Sequence, residues 1–117
     1  MTRTSILAAL FGTGLALAPL AAAYAGVLTD SNGMTLYTFD KDSKGVSNCY
    51  GGCAVNWPPF IAKSGDMMGA PWSKITRKDG TQQWAYDGKP LYFFIGDKAK
   101  GDENGNGFKG VWHVIQQ

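Results

Sequence analysis

The chain has 117 residues, is 44% hydrophobic and 13% aromatic, and carries a formal charge of +2. That length bounds it to a single domain. Its Lys and Arg are scattered, with no run longer than Arg77-Lys78, which excludes the clustered basic face that nucleic acids or anionic membranes need.

Residues 1–25 read as a secretory signal peptide. Arg3 supplies the positive end, Ile6 to Leu20 the apolar core, and Ala21-Ala22-Ala23 and Ala23-Tyr24-Ala25 the small-x-small cleavage pattern. The apolar run is shorter than the roughly 20 residues of a spanning helix. Cleavage is expected after Ala25, with Ala23 as the alternative. No Cys lies near the cut to accept a lipid. The mature chain, Gly26 to Gln117, is therefore expected free in the periplasm or outside the cell, without a stable membrane anchor.

The mature part reads as strand and turn. Val27-Leu28-Thr29 leads through Asp30-Ser31-Asn32-Gly33 into Met34 to Phe39. Pro58-Pro59 bars a central strand position. Ile75-Thr76-Arg77 turns at Lys78-Asp79-Gly80 into Gln82 to Tyr86, which turns at Asp87-Gly88 into Lys89 to Ile95. Asn-Gly and Asp-Gly supply the positive φ of tight hairpins. In the last of these strands Leu91, Phe93 and Ile95 face one side and Tyr92 and Phe94 the other, so both faces are expected to be covered. Val111 to Ile115 closes the domain. No stretch carries a 3.6-residue apolar period. The expected fold is all-β: a compact antiparallel sandwich or closed sheet with little helix.

Sliding the chain against itself by 55 residues aligns Gly33, Leu36, Tyr37, Phe39, Asp42, Gly52 and Trp57 with Gly88, Leu91, Tyr92, Phe94, Asp97, Gly107 and Trp112. Each half thus holds Gly-x-x-Leu-Tyr-x-Phe-x-x-Asp and a later Trp. One domain of two repeats is expected, at about 26–62 and 75–117. A Tyr and an Asp five residues along a strand lie about 16 Å apart. They meet only if the chain turns. The expected role of both is structural: the Asp takes backbone N–H groups of the loop it begins, and the Tyr buries its ring and gives its hydroxyl a partner. In the rival reading the Tyr and Asp line a ligand site.

Cys49 and Cys53 are an even pair in an exported chain and are read as a disulfide. The closed loop is short, worth about 2 kcal/mol in the chain-entropy model. The spacing is not Cys-x-x-Cys, and Cys53 is not followed by His, so thioredoxin-type and c-type haem motifs are absent. In the repeat register the second half replaces this loop by Asp102-Glu103-Asn104-Gly105-Asn106-Gly107. Asp102, Asn104 and Asn106 match the first half of a calcium loop, but position twelve is His113 where a bidentate Glu is required. Asp40 to Gly45 is also incomplete, with Lys44 at position five.

His113 is the single histidine, flanked on its own face by Val111 and Ile115. No Gly-x-Ser-x-Gly elbow, P-loop, Gly-x-Gly-x-x-Gly or His-Glu-x-x-His is present. No catalytic residue and no cofactor are assigned. Met34, Met67 and Met68 suggest thioether copper binding, although adjacent Met residues on a strand point to opposite faces.

Three stretches support a resemblance: Leu28 to Asp42 (Leu-Thr-Asp-x-x-Gly-Met-Thr-Leu-Tyr-Thr-Phe-Asp-Lys-Asp), Cys49-x3-Cys53-x3-Trp57-Pro58-Pro59, and Tyr86-Asp87-Gly88-Lys89-Pro90-Leu91-Tyr92-x-Phe94-x-x-Asp97. The chain resembles the bacterial secreted-repeat family of unknown function, which has tandem Tyr-x4-Asp motifs and many lipoprotein members. The resemblance implies an envelope or secreted protein and no established activity. It does not extend to the lipidation Cys. The leading expectation is an exported, non-catalytic β-domain, monomeric, with an envelope or extracellular partner. A periplasmic redox or metal-handling protein (copper or calcium) and a small secreted hydrolase are the alternatives.

Overall fold

The computed structural model describes residues 26–117. The expected signal peptide and its cleavage lie outside the described residues. In chain order the elements are β1 (Tyr37–Phe39), α1 (Gly52–Asn56), β2 (Trp72–Thr76), β3 (Gln82–Tyr86), β4 (Lys89–Pro90), a 3-10 turn (Phe108–Gly110) and β5 (Trp112–Val114). The fold is all-β, with two antiparallel sheets: β1 with β5, and β2-β3-β4. The two are not closed into a barrel, because β2 is an end strand of its sheet; of the two architectures expected, the closed sheet is not formed.

Local chemistry explains the hairpins. Asp87 and Gly88 have φ of 52° and 81°, the doubly positive turn that Asp-Gly favours, and β3 returns as β4 with Ala85 opposite Pro90. The earlier turn is longer. There Asp30 Oδ1 accepts the N–H groups of Asn32 and Met34, the side-chain version of a turn bond. Lys78-Asp79-Gly80 joins β2 to β3, and Asp79 Oδ1 caps the Thr81 N–H and hydroxyl.

The two sheets meet edge to edge at Tyr37 and Tyr92. Tyr37 N–H donates to Tyr92 O at 2.8 Å, and Tyr92 N–H donates to Tyr37 O at 3.0 Å. Because side chains alternate along extended chain, the residues before the tyrosines face the other way. Leu36 and Leu91 anchor one core with Leu28, Ala62 and Trp84. Tyr37 and Tyr92 anchor a second core with Cys49, Trp57 and Trp112. The covering of both faces of Leu91–Phe94 is thereby explained, since Phe93 packs on the first core and Phe94 on the second. Ile95 departs from that expectation: it is 46% exposed, because the strand has already ended at the Phe94–Asp97 turn.

Pro58-Pro59 takes no central strand position, as expected: among the described residues Pro59 is bridged on one side, to Tyr92, and Pro58 on neither. The segment reaches β3 only further on, at Ile61–Gln83. The prolines contribute only carbonyls: Pro58 O accepts from Phe93 N–H, and the first donor required is Phe60 N–H, to Leu91 O. The missing proline N–H groups are never called upon.

Candidate functional site

The centre of the molecule is built from the duplicated residues, and its contacts are exchanged between repeats. Tyr37 Oη donates to Asp97 Oδ2 at 2.6 Å, and Tyr92 Oη donates to Asp42 Oδ2 at 2.7 Å. Each Tyr therefore meets the Asp of the other repeat, not the one five residues along its own chain. The turn after each strand aims the Asp: Asp42 N–H returns to Phe39 O and Asp97 N–H to Phe94 O. The second carboxylate oxygen caps the loop that follows, accepting Asn48 N–H at 2.7 Å for Asp42 and Asn104 N–H at 2.9 Å for Asp97.

The rings follow the same exchange. Phe39 stacks on Trp112 at 4.2 Å, and Phe94 on Trp57 at 4.3 Å. Trp57 stacks on Trp112 at 3.9 Å and 2°. The result is a continuous column, Phe39-Trp112-Trp57-Phe94, with Tyr37 and Tyr92 set edge-on against Trp57 and Trp112. Offset and edge-on pairs of this kind add roughly 0.5–1.5 kcal/mol each beyond burial.

The supports behind the two carboxylates differ. Among the described residues the one other partner of the Tyr37 hydroxyl is Gly105 N–H, donated to Tyr37 Oη at 3.1 Å. A Cβ at Gly105 would lie 2.5 Å from the Trp57 ring, so only glycine fits there. Around Tyr92 the network is longer. Ser47 Oγ lies 2.6 Å from Tyr92 Oη; since Tyr92 gives its one proton to Asp42, Ser47 donates. Buried Arg77 then donates through Nη1 to Ser47 Oγ and Gln83 Oε1, at 3.0 and 2.8 Å, and through Nη2 to Cys49 O at 2.8 Å. Gln83 Nε2 passes the chain to Leu91 O at 2.7 Å. The guanidinium also lies over the Tyr50 ring at 4.3 Å. Cys49 and Cys53 are disulfide-bonded, so the loop carrying Ser47, Cys49 and Tyr50 is tied at its far end.

These contacts set the titration behaviour. Burial pushes the Tyr37 hydroxyl well above the ordinary tyrosine value, helped by its bond to Asp97. Burial does the same to Tyr92, with Asp42 adding to it and Ser47 opposing. Burial also raises the Asp42 carboxyl, against the pull of Tyr92, Asn48 N–H and Arg77. The two tyrosines are thus held neutral as donors to fixed acceptors.

The calcium candidates are spread over separate loop bonds. Asp102 Oδ2 accepts Lys98 and Ala99 N–H groups, which hold its carboxyl below the usual range. Asn104 Nδ2 donates to Gly96 O, and Asn106 Oδ1 accepts Val114 N–H. Among the described residues no three His, Cys, Asp or Glu side chains converge as a metal set. His113 Nε2 lies 2.8 Å from Asp40 Oδ2 on the surface. Met67 and Met68 line a groove whose described lining includes neither His113 nor Met34. Sequence reasoning missed Arg77 and Ser47. The available signal was alternation, since Arg77 shares a face with the buried Ile75.

That groove has a volume of about 1060 Å³. It runs along Gly26–Gly33 and is walled by Phe60, Ile61, Met68 and Trp72, with Leu28 and Trp84 from the first core at its base.

Fold and centre together define a two-repeat β-domain, fastened by exchanged Tyr–Asp bonds and a shared aromatic column. A family model described as a secreted repeat of unknown function matches residues 23–61 and 73–116, and the chain belongs to that family. No curated protein and no solved structure matches it. The family's description makes the protein a secreted one, in agreement with the resemblance of its motifs.

Proposed function

We propose that this protein is a non-catalytic binding domain of the bacterial periplasm or envelope, and that the groove along Gly26–Gly33 takes its partner. The observation that carries this reading is the division of labour between centre and groove. The duplicated Tyr, Asp and Trp side chains are consumed in mutual bonds at the buried centre. The groove instead presents aromatic and thioether surface to solvent, with Met67 87% exposed. Concave apolar walls with a few polar groups are what binding sites offer.

The test is a fragment library screened by amide NMR against the exported protein. Shifts are expected to cluster at Ile61, Met68 and Trp72, and Met68→Asp is expected to abolish them while leaving the melting temperature unchanged. Shifts clustering at the Tyr37–Tyr92 centre instead would return function to the duplicated motif.

A further inference from the structure

The groove has a second property that the two repeats reveal only when compared. In the second repeat β3 is bonded along both edges. Its inner edge uses Trp84, whose N–H donates to Phe60 O and whose carbonyl accepts Leu91 N–H. Its outer edge is filled by β2, in antiparallel register from Trp72 opposite Tyr86 to Thr76 opposite Gln82.

In the first repeat Gly26–Asp30 takes the place of β3. Leu28 N–H donates to Ile115 O, and Leu28 O accepts Leu36 N–H, the same pair of bonds that Trp84 makes. Leu28 and Trp84 sit in one core cluster. The correspondence is one residue off the 55-residue register because the Asp30–Gly33 turn is longer than Asp87-Gly88. Backbone groups alternate in direction along extended chain. Val27 and Thr29 therefore point their N–H and C=O groups to the opposite edge, the one β2 fills in the second repeat. Among the described residues neither makes a hydrogen bond there. The groove lies along this same segment.

Resting on the groove reading above, we propose that Gly26–Asp30 is an acceptor edge for an extended peptide segment of a partner protein, added as an antiparallel strand. The second repeat shows the kind of occupant: a strand with an aromatic residue and a lysine on one face, Trp72 packed edge-on to Trp84 and Lys74 Nζ 5.3 Å from the same ring. The charge of the groove agrees with a basic strand, since Asp30, Asp66 and Glu103 line it against Lys63 alone. Main-chain bonds at Val27 and Thr29 supply affinity, and the apolar walls choose alternate side chains, as in other strand-addition sites.

The probe is a synthetic peptide with the sequence of Trp72–Arg77, added to isotope-labelled exported protein. Binding is expected to slow hydrogen exchange of the Val27 and Thr29 amides at least tenfold. Methylating the peptide nitrogens equivalent to Ser73 and Ile75, the ones that face β3, is expected to abolish binding without any change to the protein. Thr29→Pro is expected to weaken binding at least tenfold with the melting temperature retained. Protection at Lys74 and Thr76, the free edge of β2, would overturn the proposal. So would a protein that is already dimeric by sedimentation with Val27 and Thr29 protected, which would make the occupant a second copy. If fragments map to the groove but the peptide leaves those amides unprotected, the strand proposal falls and the groove reading stands.

Discussion

The loop after Asp42 and the loop after Asp97 do the same work by different means. Both carboxylates begin a loop, cap its backbone and reach a tyrosine of the other repeat. The first loop is held by a disulfide and by Arg77, which ties Ser47 and Cys49 to the sheet residue Gln83. The second has neither. It closes on itself through Asp102 and Asn104, is tied to β5 by Asn106, and approaches the column so closely at Gly105 that no side chain fits. The shared part is the fastener between repeats. The variable part is how each loop is kept in position to fasten.

The largest effects test the shared part. Trp57→Ala and Trp112→Ala are each expected to cost about 3–5 kcal/mol by chemical denaturation, the range for removing a buried large aromatic. The two costs should agree within about 1 kcal/mol, because each indole stacks on the other and on one Phe. A large imbalance would break the equivalence of the repeats.

Arg77→Met comes next and separates the loops. It strands Cys49 O, Gln83 Oε1 and Ser47 without their donor, so a loss of about 3 kcal/mol is expected. It should also push the Asp42 carboxyl further up, because the attraction of Arg77 is removed. A carbon-detected carboxyl titration reads the shift of Asp42.

Smaller, and more diagnostic, are double-mutant cycles. Tyr37→Phe with Asp97→Asn should show a coupling of about 1 kcal/mol, and so should Tyr92→Phe with Asp42→Asn. Tyr37→Phe with Asp42→Asn, within one repeat, should be additive. Coupling within a repeat instead would mean that the exchange is wrong.

The smallest effects are in pH. Tyr37 and Tyr92 have raised folded values. Their contribution is full below the ordinary tyrosine value, about 10, and is lost as pH rises above it, so alkaline unfolding should begin there. Asp42 is also raised. Its contribution is full below about 3.9 and declines as pH rises through its folded value, so its ionised form carries a cost at neutral pH. Replacing Asp42 by Asn should flatten the stability profile just above the ordinary carboxylate range. The exposed Asp102 has the opposite sign and should lose its contribution on acidification.

Much of this was legible in the sequence, and the part that was not has a common cause. The Asp87-Gly88 hairpin, the Asp30 turn, the two-faced strand at Leu91–Phe94 and the Cys49–Cys53 bond depend on neighbours a few residues apart. So does the capping role of Asp42 and Asp97. The bond between Arg77 and Ser47 was missed because the two residues lie 30 apart in the chain.

By itself the sequence determined an all-β chain with one motif written twice, because turn chemistry and side-chain alternation are local and survive without a fold. Only the tertiary structure decided which tyrosine meets which aspartate. Those bonds span 60 and 50 residues, and no spacing rule can tell a partner on the same strand end from its twin in the other repeat. The same holds for the acceptor edge at Val27 and Thr29. A backbone group is open or paired according to what lies beside it, and the residues carrying it give no sign of either.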